Sequence, residues 1–316
     1  MRSTSKPHFP DRPMRHLLTL DGMPRATVVE LLDRAQHFAD LRGDVDALKG
    51  IAACTLFFEP STRTRMSFQL AAMRLGAHVL NFDVSTSSAR KGETALDTMR
   101  NLEAMGVRGF IVRHHDDGAV AQLAAAAGEG TALLNAGDGR SNHPTQGLLD
   151  MLTLRQAKGD DFARMRIAIV GDVKHSRVAR SDLHALRALG ATDIRVCGPA
   201  ALLPEAATLA GCRVTHDLDE AIDGADAVIT LRLQRERMED GLVESLDGYH
   251  RDYGITEARL RSAAPGALVM HPGPINRGVE ITDEVADGPR SLILRQVANG
   301  VAVRMAVLER LLAARG

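Results

Sequence analysis

The chain has 316 residues, a formal net charge of −1 at neutral pH, 45% hydrophobic residues and 25% charged ones. That length suits about two domains with a sizeable core, and the near-zero charge argues against a general nucleic-acid binder, which carries a basic domain or stripe. No apolar run approaches the roughly 20 residues that span a bilayer, so no membrane segment is expected. The opening stretch MRSTSKPHFPDRPMR is basic but has no apolar h-region, so it reads as a tail or subunit-contact arm and not a signal peptide. Cys54, Cys197 and Cys212 lie far apart without CxxC spacing, and are read as buried free thiols of a cytoplasmic chain.

In chain order, Val28, Leu31, Leu32, Ala35 and Phe38 recur at helical spacing after Pro24, which suits a first helical turn. IAACTLFF (51–58) is a continuous apolar run, the pattern of a strand covered on both faces. Helix-like and strand-like segments then alternate: helix 63–75, strand 77–82, helix 94–104, strand 109–113, helix 116–126, strand 131–135 and helix 144–157. After the polar stretch KGDDFAR (158–164) the alternation resumes at 166–172, 177–189, 193–198, 204–210, 212–216, 218–223, 226–232 and 267–273. The last segment, 291–316, reads as one helix with Val297, Val301, Met305, Leu308 and Leu312 along one face. Strands alternating with helices mean βαβ units. The expected fold class is therefore α/β, with two doubly wound parallel-sheet domains and an active-site cleft between them, beyond the strand carboxyl ends.

Several strand ends carry unusual chemistry. FFEPSTRTR (57–65) leads from a strand into a helix that opens on Ser61, Thr62, Arg63 and Thr64. Helix N-termini favour anions, and Arg63 or Arg65 can add a forked contact to phosphate oxygens; an ordinary Ser/Thr cap with solvated arginines is the alternative. The segment lacks the GxxxxGK[ST] of a P-loop. DVSTSSARKGET (83–94) reads as a long loop carrying a lysine, either a gate over a site or a plain surface loop. In AGDGRSNHPTQ (136–146), Pro144 suits a first helical position, leaving His143 just outside the helix and on the same side as Gln146. Arg113 ends the GFIVR strand. The neighbouring His114, His115, Asp116 and Asp117 are not expected to hold a metal, because adjacent residues of an extended chain point to opposite faces. In the second half, GDVKHSR places Arg177 at a helix start without a GxGxxG fingerprint, TLRLQRER offers Arg232, Gln234 and Arg235, and HPGP (271–274) forms a rigid turn exposing backbone carbonyls.

With STRTR, KGET, HPTQ and HPGP in this order, the chain closely resembles the catalytic chains of aspartate carbamoyltransferases, from about residue 15 to 312. The resemblance implies a carbamoyl-phosphate domain, residues 1–157 completed by the C-terminal helix 291–316, and an aspartate domain, residues 158–290. It implies transfer of the carbamoyl group of carbamoyl phosphate to the amine of L-aspartate, an early step of de novo pyrimidine biosynthesis, with no cofactor and no metal. Ser61, Thr62, Arg63 and Thr64 would hold the phosphate, and Thr64, Arg113 and His143 the carbonyl oxygen. Gln146 and the main chain of Gly273 and Pro274 would fix the carbamoyl amino group. Arg177 and Arg232, helped by Gln234 and Lys91, would grip aspartate. Ser87 and Lys91 would come from the neighbouring subunit of a homotrimer with shared active sites.

The polar extension before Arg15 lies outside the family core and suggests assembly with regulatory or dihydroorotase-like chains. Ornithine carbamoyltransferases share the STRTR and HPxQ segments, but they carry His-Cys-Leu-Pro where this chain has His271-Pro272-Gly273-Pro274 and lack the KGET lysine. Arg232 would repel a cationic side chain and attract a carboxylate. A non-catalytic chain that kept the fold is the reading from another class, and the presence of every motif residue weighs against it. Gly273 stands where some family members have Leu, a change that leaves the backbone contact available.

Overall fold

The computed structural model describes residues 14–41, 43–83, 92–234 and 245–313. Ser87, Lys91 and Arg235 lie outside these residues. The first half forms β1 (Ala52–Phe57), β2 (His78–Asp83), β3 (Gly109–His114) and β4 (Ala132–Asp138), an all-parallel sheet ordered β2-β1-β3-β4. Its helices are α1 (Arg25–Asp40), α2 (Thr62–Arg74), α3 (Ala95–Ala104), α4 (Ala119–Ala126) and α5 (Pro144–Lys158). The second half forms β5 (Arg166–Val170), β6 (Asp193–Cys197), β7 (Arg213–Thr215), β8 (Ala227–Thr230) and β9 (Leu268–Met270), a parallel sheet ordered β7-β6-β5-β8-β9. Its helices are α6 (Arg177–Leu189), α7 (Leu218–Ile222), α8 (Leu246–Tyr253) and α9 (Asp283–Ala286). The closing helix α10 (Ile293–Leu312) returns to the first half, against α1, α2 and α5. Strands β3, β4, β5 and β8 are almost wholly buried, because helices cover both faces of each sheet, and their unbroken Val/Ile/Leu/Ala runs follow from that.

Each sheet reverses its strand order at one place: between β1 and β3 in the first, between β5 and β8 in the second. Connections leave such a switch point in opposite directions, so a crevice opens at the strand carboxyl ends. The segment after β1 carries Ser61–Thr64 and the end of β3 carries Arg113, while the segments after β5 and β8 carry Asp172–Arg177 and Arg232–Gln234. Helix α5 lies at the seam between the halves. Its residues 144–154 are buried on every side, packed on α1, α6 and α10. A helix enclosed all round shows no amphipathic stripe, and its polar residues must find partners inside.

Three expectations need correction. The segment 204–210 is a series of tight turns, with i→i+3 bonds such as Thr208 N–H to Glu205 O; a short run between Pro204 and Gly211 does not propagate a helix. The helix expected from 116 starts at Ala119, since Gly118 takes left-handed backbone (φ 78°) at its N-cap. On α10, Val297 is exposed and Val301 only half-buried, whereas Ala302 to Leu312 are all buried. The inward side of that helix is set by three neighbouring helices, not by a single apolar stripe. Helices α8 and α9 were not foreseen from the sequence.

Candidate active site

Helix α2 begins directly after the turn that follows β1. Ser61 is its N-cap in extended conformation, yet its hydroxyl makes no capping bond to the helix. An ordinary cap would use that oxygen on the N–H of the second or third residue. Here Ser61 leaves the first-turn N–H groups without a side-chain cap, Thr62 is exposed and Thr64 is buried. The two arginines of the motif separate. Arg65 lies over the Phe57 ring, 5.3 Å from its centroid, and serves packing. Arg63 turns to the cleft, where partial burial of its guanidinium and then the charge of Arg232 lower its pKa. Arg232 belongs to the segment after β8, so the two halves bring like charges towards one place. Such an arrangement favours an anion between them.

Gly273 explains how Arg63 fits there. Its backbone is left-handed (φ 63°), and a Cβ at that position would stand 2.9 Å from the Arg63 guanidinium carbon. The Gly273–Pro274 peptide is cis. His271 holds this turn: its Nδ1 accepts from Gly273 N–H at 2.7 Å, so Nε2 carries the proton and donates to the buried Glu280 at 3.2 Å. Glu280 also accepts from Asn276 N–H at 2.6 Å. Across the second half, Asp172 accepts from Gln234 N–H and is bonded to His175, fixing the segment that carries Arg232 and Gln234.

Glu59, between the two phenylalanines and Pro60, is the functional residue that the sequence reading passed over. Its Oε1 accepts from Arg113 Nη2 and from Arg177 Nη2, both at 2.8 Å, and its Oε2 accepts from Arg177 Nη1 at 3.0 Å. One carboxylate thus joins the end of β3 to the first residue of α6, across the two halves. Arg113 also donates to Ala136 O at 3.1 Å, and Arg177 to Gly139 O at 3.2 Å. Gly137, at φ 120°, makes this convergence possible, because a Cβ would meet Arg113 Nη1 at 2.9 Å and Arg177 Cζ at 3.0 Å. A Glu-Pro at a strand end carries no motif, and only the paired arginines opposite it reveal its part.

His143 caps α5 with its side chain off the helix; its N–H donates to Ser181 Oγ at 2.9 Å. The ring is buried, and Nδ1 has no hydrogen-bond partner among the described residues. Burial, and then the charges of Arg113, Arg304 and Arg177, hold its pKa well below the usual histidine value. A neutral imidazole at neutral pH donates from one nitrogen and accepts at the other. Gln146, one turn on, donates Nε2 to Asp150 at 3.1 and 3.2 Å, which turns its carbonyl end away from that carboxylate.

His114, His115 and Asp116 depart from the alternating-face expectation. The chain bends at the end of β3, the two imidazoles stack at 4.4 Å, and the potential donor atoms of the three residues all lie within 4.8 Å of one another. His114 Nδ1 is already used as an acceptor by Asp116 N–H at 3.0 Å. Asp117 leaves the cluster and accepts from Arg140 N–H and Ser141 Oγ, fixing the turn before His143.

Fold and cleft together define a two-domain parallel α/β protein in which arginines of both halves gather at facing switch points. Residues 15–156 match the family profile of the aspartate/ornithine carbamoyltransferase carbamoyl-P binding domain, and residues 163–311 that of the Asp/Orn binding domain. The chain is 71% identical to the aspartate carbamoyltransferase catalytic subunit of Xanthomonas oryzae pv. oryzae, over 96% of this chain and 97% of the relative. Among solved structures, aspartate transcarbamoylase from Trypanosoma cruzi in complex with carbamoyl phosphate and aspartate superposes with a TM-score of 0.84 at 33% identity, covering 94% of this chain and 97% of that one. Ornithine carbamoyltransferase from Thermus thermophilus also gives 0.84, at 30% identity, over 95% and 99% of the two chains. The chain belongs to the aspartate/ornithine carbamoyltransferase family.

Proposed function

We propose that this chain is an aspartate carbamoyltransferase catalytic subunit, which moves the carbamoyl group of carbamoyl phosphate to the amine of L-aspartate. The observation that carries the choice is the set of guanidinium groups converging from both halves: Arg63 and Arg113 from the first, Arg177 and Arg232 from the second. A dianionic donor and a dicarboxylate acceptor suit that charge, and a cationic ornithine side chain does not. The name of the 71% identical relative supports the same choice, whereas fold similarity alone extends equally to an ornithine enzyme.

In this reading the first-turn N–H groups of α2, with Ser61, Thr62, Arg63 and Thr64, take the phosphate. Thr64, Arg113 and neutral His143 direct donors at the carbonyl oxygen. Aspartate, gripped by Arg177, Arg232 and Gln234, brings its amine to the carbamoyl carbon. The C–N bond forms as the carbonyl becomes a tetrahedral oxyanion; the C–O bond to phosphate then breaks, and the leaving phosphate takes the amine's proton. Catalysis is orientation plus stabilisation of charge that develops on one oxygen. Residues 1–157 with 291–316 serve carbamoyl phosphate and residues 158–290 serve aspartate. Glu59 holds Arg113 and Arg177 in register until substrate oxygens compete for them.

The same reading makes the protein a cytoplasmic homotrimer in which Ser87 and Lys91 reach into a neighbour's site. An apolar stripe on α2, exposed Met66, Leu70 and Met73, supports a subunit contact there, as does exposed Leu80 on the edge strand β2. No helix among the described residues is long and apolar enough to cross a membrane. The test is a carbamoylation assay with aspartate and ornithine offered in parallel. Aspartate-dependent phosphate release that is lost in Arg63→Ala and His143→Ala is the expected result. Turnover with ornithine alone would overturn the charge argument.

A further inference from the structure

Beneath the cleft, α5, α6 and α10 enclose a polar unit that the mechanism above does not use. Gly147 brings α5 and α6 close: a Cβ there would stand 2.8 Å from Ser181 O. Asp150 on α5 and Asp182 on α6, each in the helical turn beside that contact, are fully buried and interact directly. Gln146 Nε2 donates to both Asp150 oxygens, and Gln296 Nε2 on α10 donates to Asp150 Oδ1 at 2.7 Å. The other end of Gln296 is fixed by the loop, since its Oε1 accepts from His271 N–H at 3.0 Å. Main-chain N–H is donor only, so the amide orientation of Gln296 follows without ambiguity.

Asp150 therefore sits at a junction. One arm runs through Gln146 at the start of α5; the other runs through Gln296 to the 271–274 turn, where Gly273 lies against the Arg63 guanidinium. Because Asp150 claims the Gln146 NH2, the Gln146 carbonyl is the end left to accept an N–H. We infer that Asp150, steadied by Asp182 through one shared proton, is a positioning residue that presents Gln146 Oε1 and the Gly273–Pro274 carbonyls together as acceptors for the carbamoyl amino group. The inference rests on the carbamoyl-phosphate reading of the cleft.

The charges agree with a single proton on the pair. Two facing carboxylates cannot both ionise cheaply in a buried site. Burial raises Asp150 to about 6, and burial together with Asp150 raises Asp182 well above the ordinary carboxylate range. Neither Asp182 oxygen has a hydrogen-bond donor among the described residues, so a proton held by Asp182 and given to Asp150 supplies the missing bond. The charged group facing the pair from α10 is Arg304, over the Phe68 ring; burial lowers it to about 9, against the opposing effect of Asp150. Arg113, Arg177 and the neutral His143 lie in the next layer. One proton leaves the pair at −1 against Arg304 at +1, and a balanced buried cluster is far less costly than an unbalanced one.

The test compares Asp150→Asn and Asp182→Asn with the unmodified protein, reading kcat and KM for carbamoyl phosphate from neutral to alkaline pH. In Asp150→Asn the new amide offers one acceptor where three donors compete, so KM for carbamoyl phosphate should rise roughly 10- to 100-fold, as when the partner that orients a metal ligand is removed. In Asp182→Asn the new amide still donates to Asp150 but has no proton to lose. The unmodified protein should show an alkaline fall in kcat/KM, and this variant should keep the ordinary KM at neutral pH and lack that fall. A purely structural pair would lower the melting midpoint and move neither KM nor the profile. A KM within about twofold in Asp150→Asn, or superimposable profiles for Asp182→Asn and the unmodified protein, would overturn the inference. An infrared carboxylic-acid band present at neutral pH and lost in Asp182→Asn reports the shared proton without turnover; its absence also overturns the pair. Loss of all carbamoyl transfer in the unmodified protein would instead sink the reading of the cleft.

Discussion

Replacing Glu59 by Gln keeps the shape of the side chain and removes the charge on which two guanidinium groups depend. Three hydrogen bonds reach this carboxylate, at 2.8, 2.8 and 3.0 Å, from Arg113 and Arg177, both largely buried. A hydrogen bond to a charged group contributes about 1.5–3 kcal/mol, and breaking a buried pair costs roughly 3–5 kcal/mol. The Glu59 side chain retains 20% of its exposure, so water recovers part of that loss, and about 2–3 kcal/mol is the reasonable expectation. For domains of this size that corresponds to a midpoint lower by roughly 5–10 °C in scanning calorimetry. The same change should act on function: an amide oxygen in the Oε1 place keeps only uncharged bonds to the two arginines, while the NH2 in the Oε2 place confronts Arg177 Nη1 and ends that arginine's two-point grip. With Arg177 no longer held, KM for aspartate should rise about 10-fold or more, corresponding to roughly 1.4 kcal/mol. Carbamoyl-aspartate formation at varied aspartate and saturating carbamoyl phosphate measures it. An unchanged midpoint together with an unchanged KM would refute the bridging argument.

Gly137→Ala should move the same two arginines from the opposite side: its φ of 120° disfavours any side chain, at a cost of about 1–3 kcal/mol, and the aspartate KM should climb with little change in assembly mass. Gly147→Ala, with a Cβ 2.8 Å from Ser181 O, should push α5 from α6 and lower stability by roughly 1–3 kcal/mol in urea titration. His143→Ala should cost about 100- to 1000-fold in turnover, the usual loss of one oxyanion donor, with carbamoyl-phosphate binding by calorimetry much less affected. His143 also predicts a pH effect on stability: its folded pKa is depressed, so the unfolded chain binds the proton more readily. That contribution is present above the unfolded value of 6.5 and is lost as pH falls below it. Unfolding free energy measured between pH 7.5 and about 5 should therefore decline less steeply in His143→Gln.

The βαβ alternation was readable because buried parallel strands need unbroken apolar runs, and nearly all of β1, β3, β4, β5 and β8 announces itself that way. The motif residues were readable because hydroxyls, arginines and histidines just past such runs have little packing purpose. Glu59 was not, because a lone acidic residue at a strand end has the same local pattern whether it meets solvent or two arginines from different halves. The polar residues of α5 and α10 were equally hidden. Asp150, Asp182, Gln296 and Arg304 look like the solvated side of ordinary helices until the packing shows that all four lie where neighbouring helices cover them. Val297 failed for the converse reason, since an apolar residue at the right spacing came to lie on the uncovered side.

The return of α10 to the first half has a mechanical consequence. The chain passes to the second sheet once, after α5, and comes back once, before α10, and both crossings lie along the same seam, where Gln296 meets Asp150 and Asn299 meets Thr153. A body tethered at two points on one line can swing about that line but can neither slide nor twist freely. Two such tethers resist sliding of one half past the other more than rotation about the seam, and α5, which carries His143 and Gln146 at its start, is part of that seam.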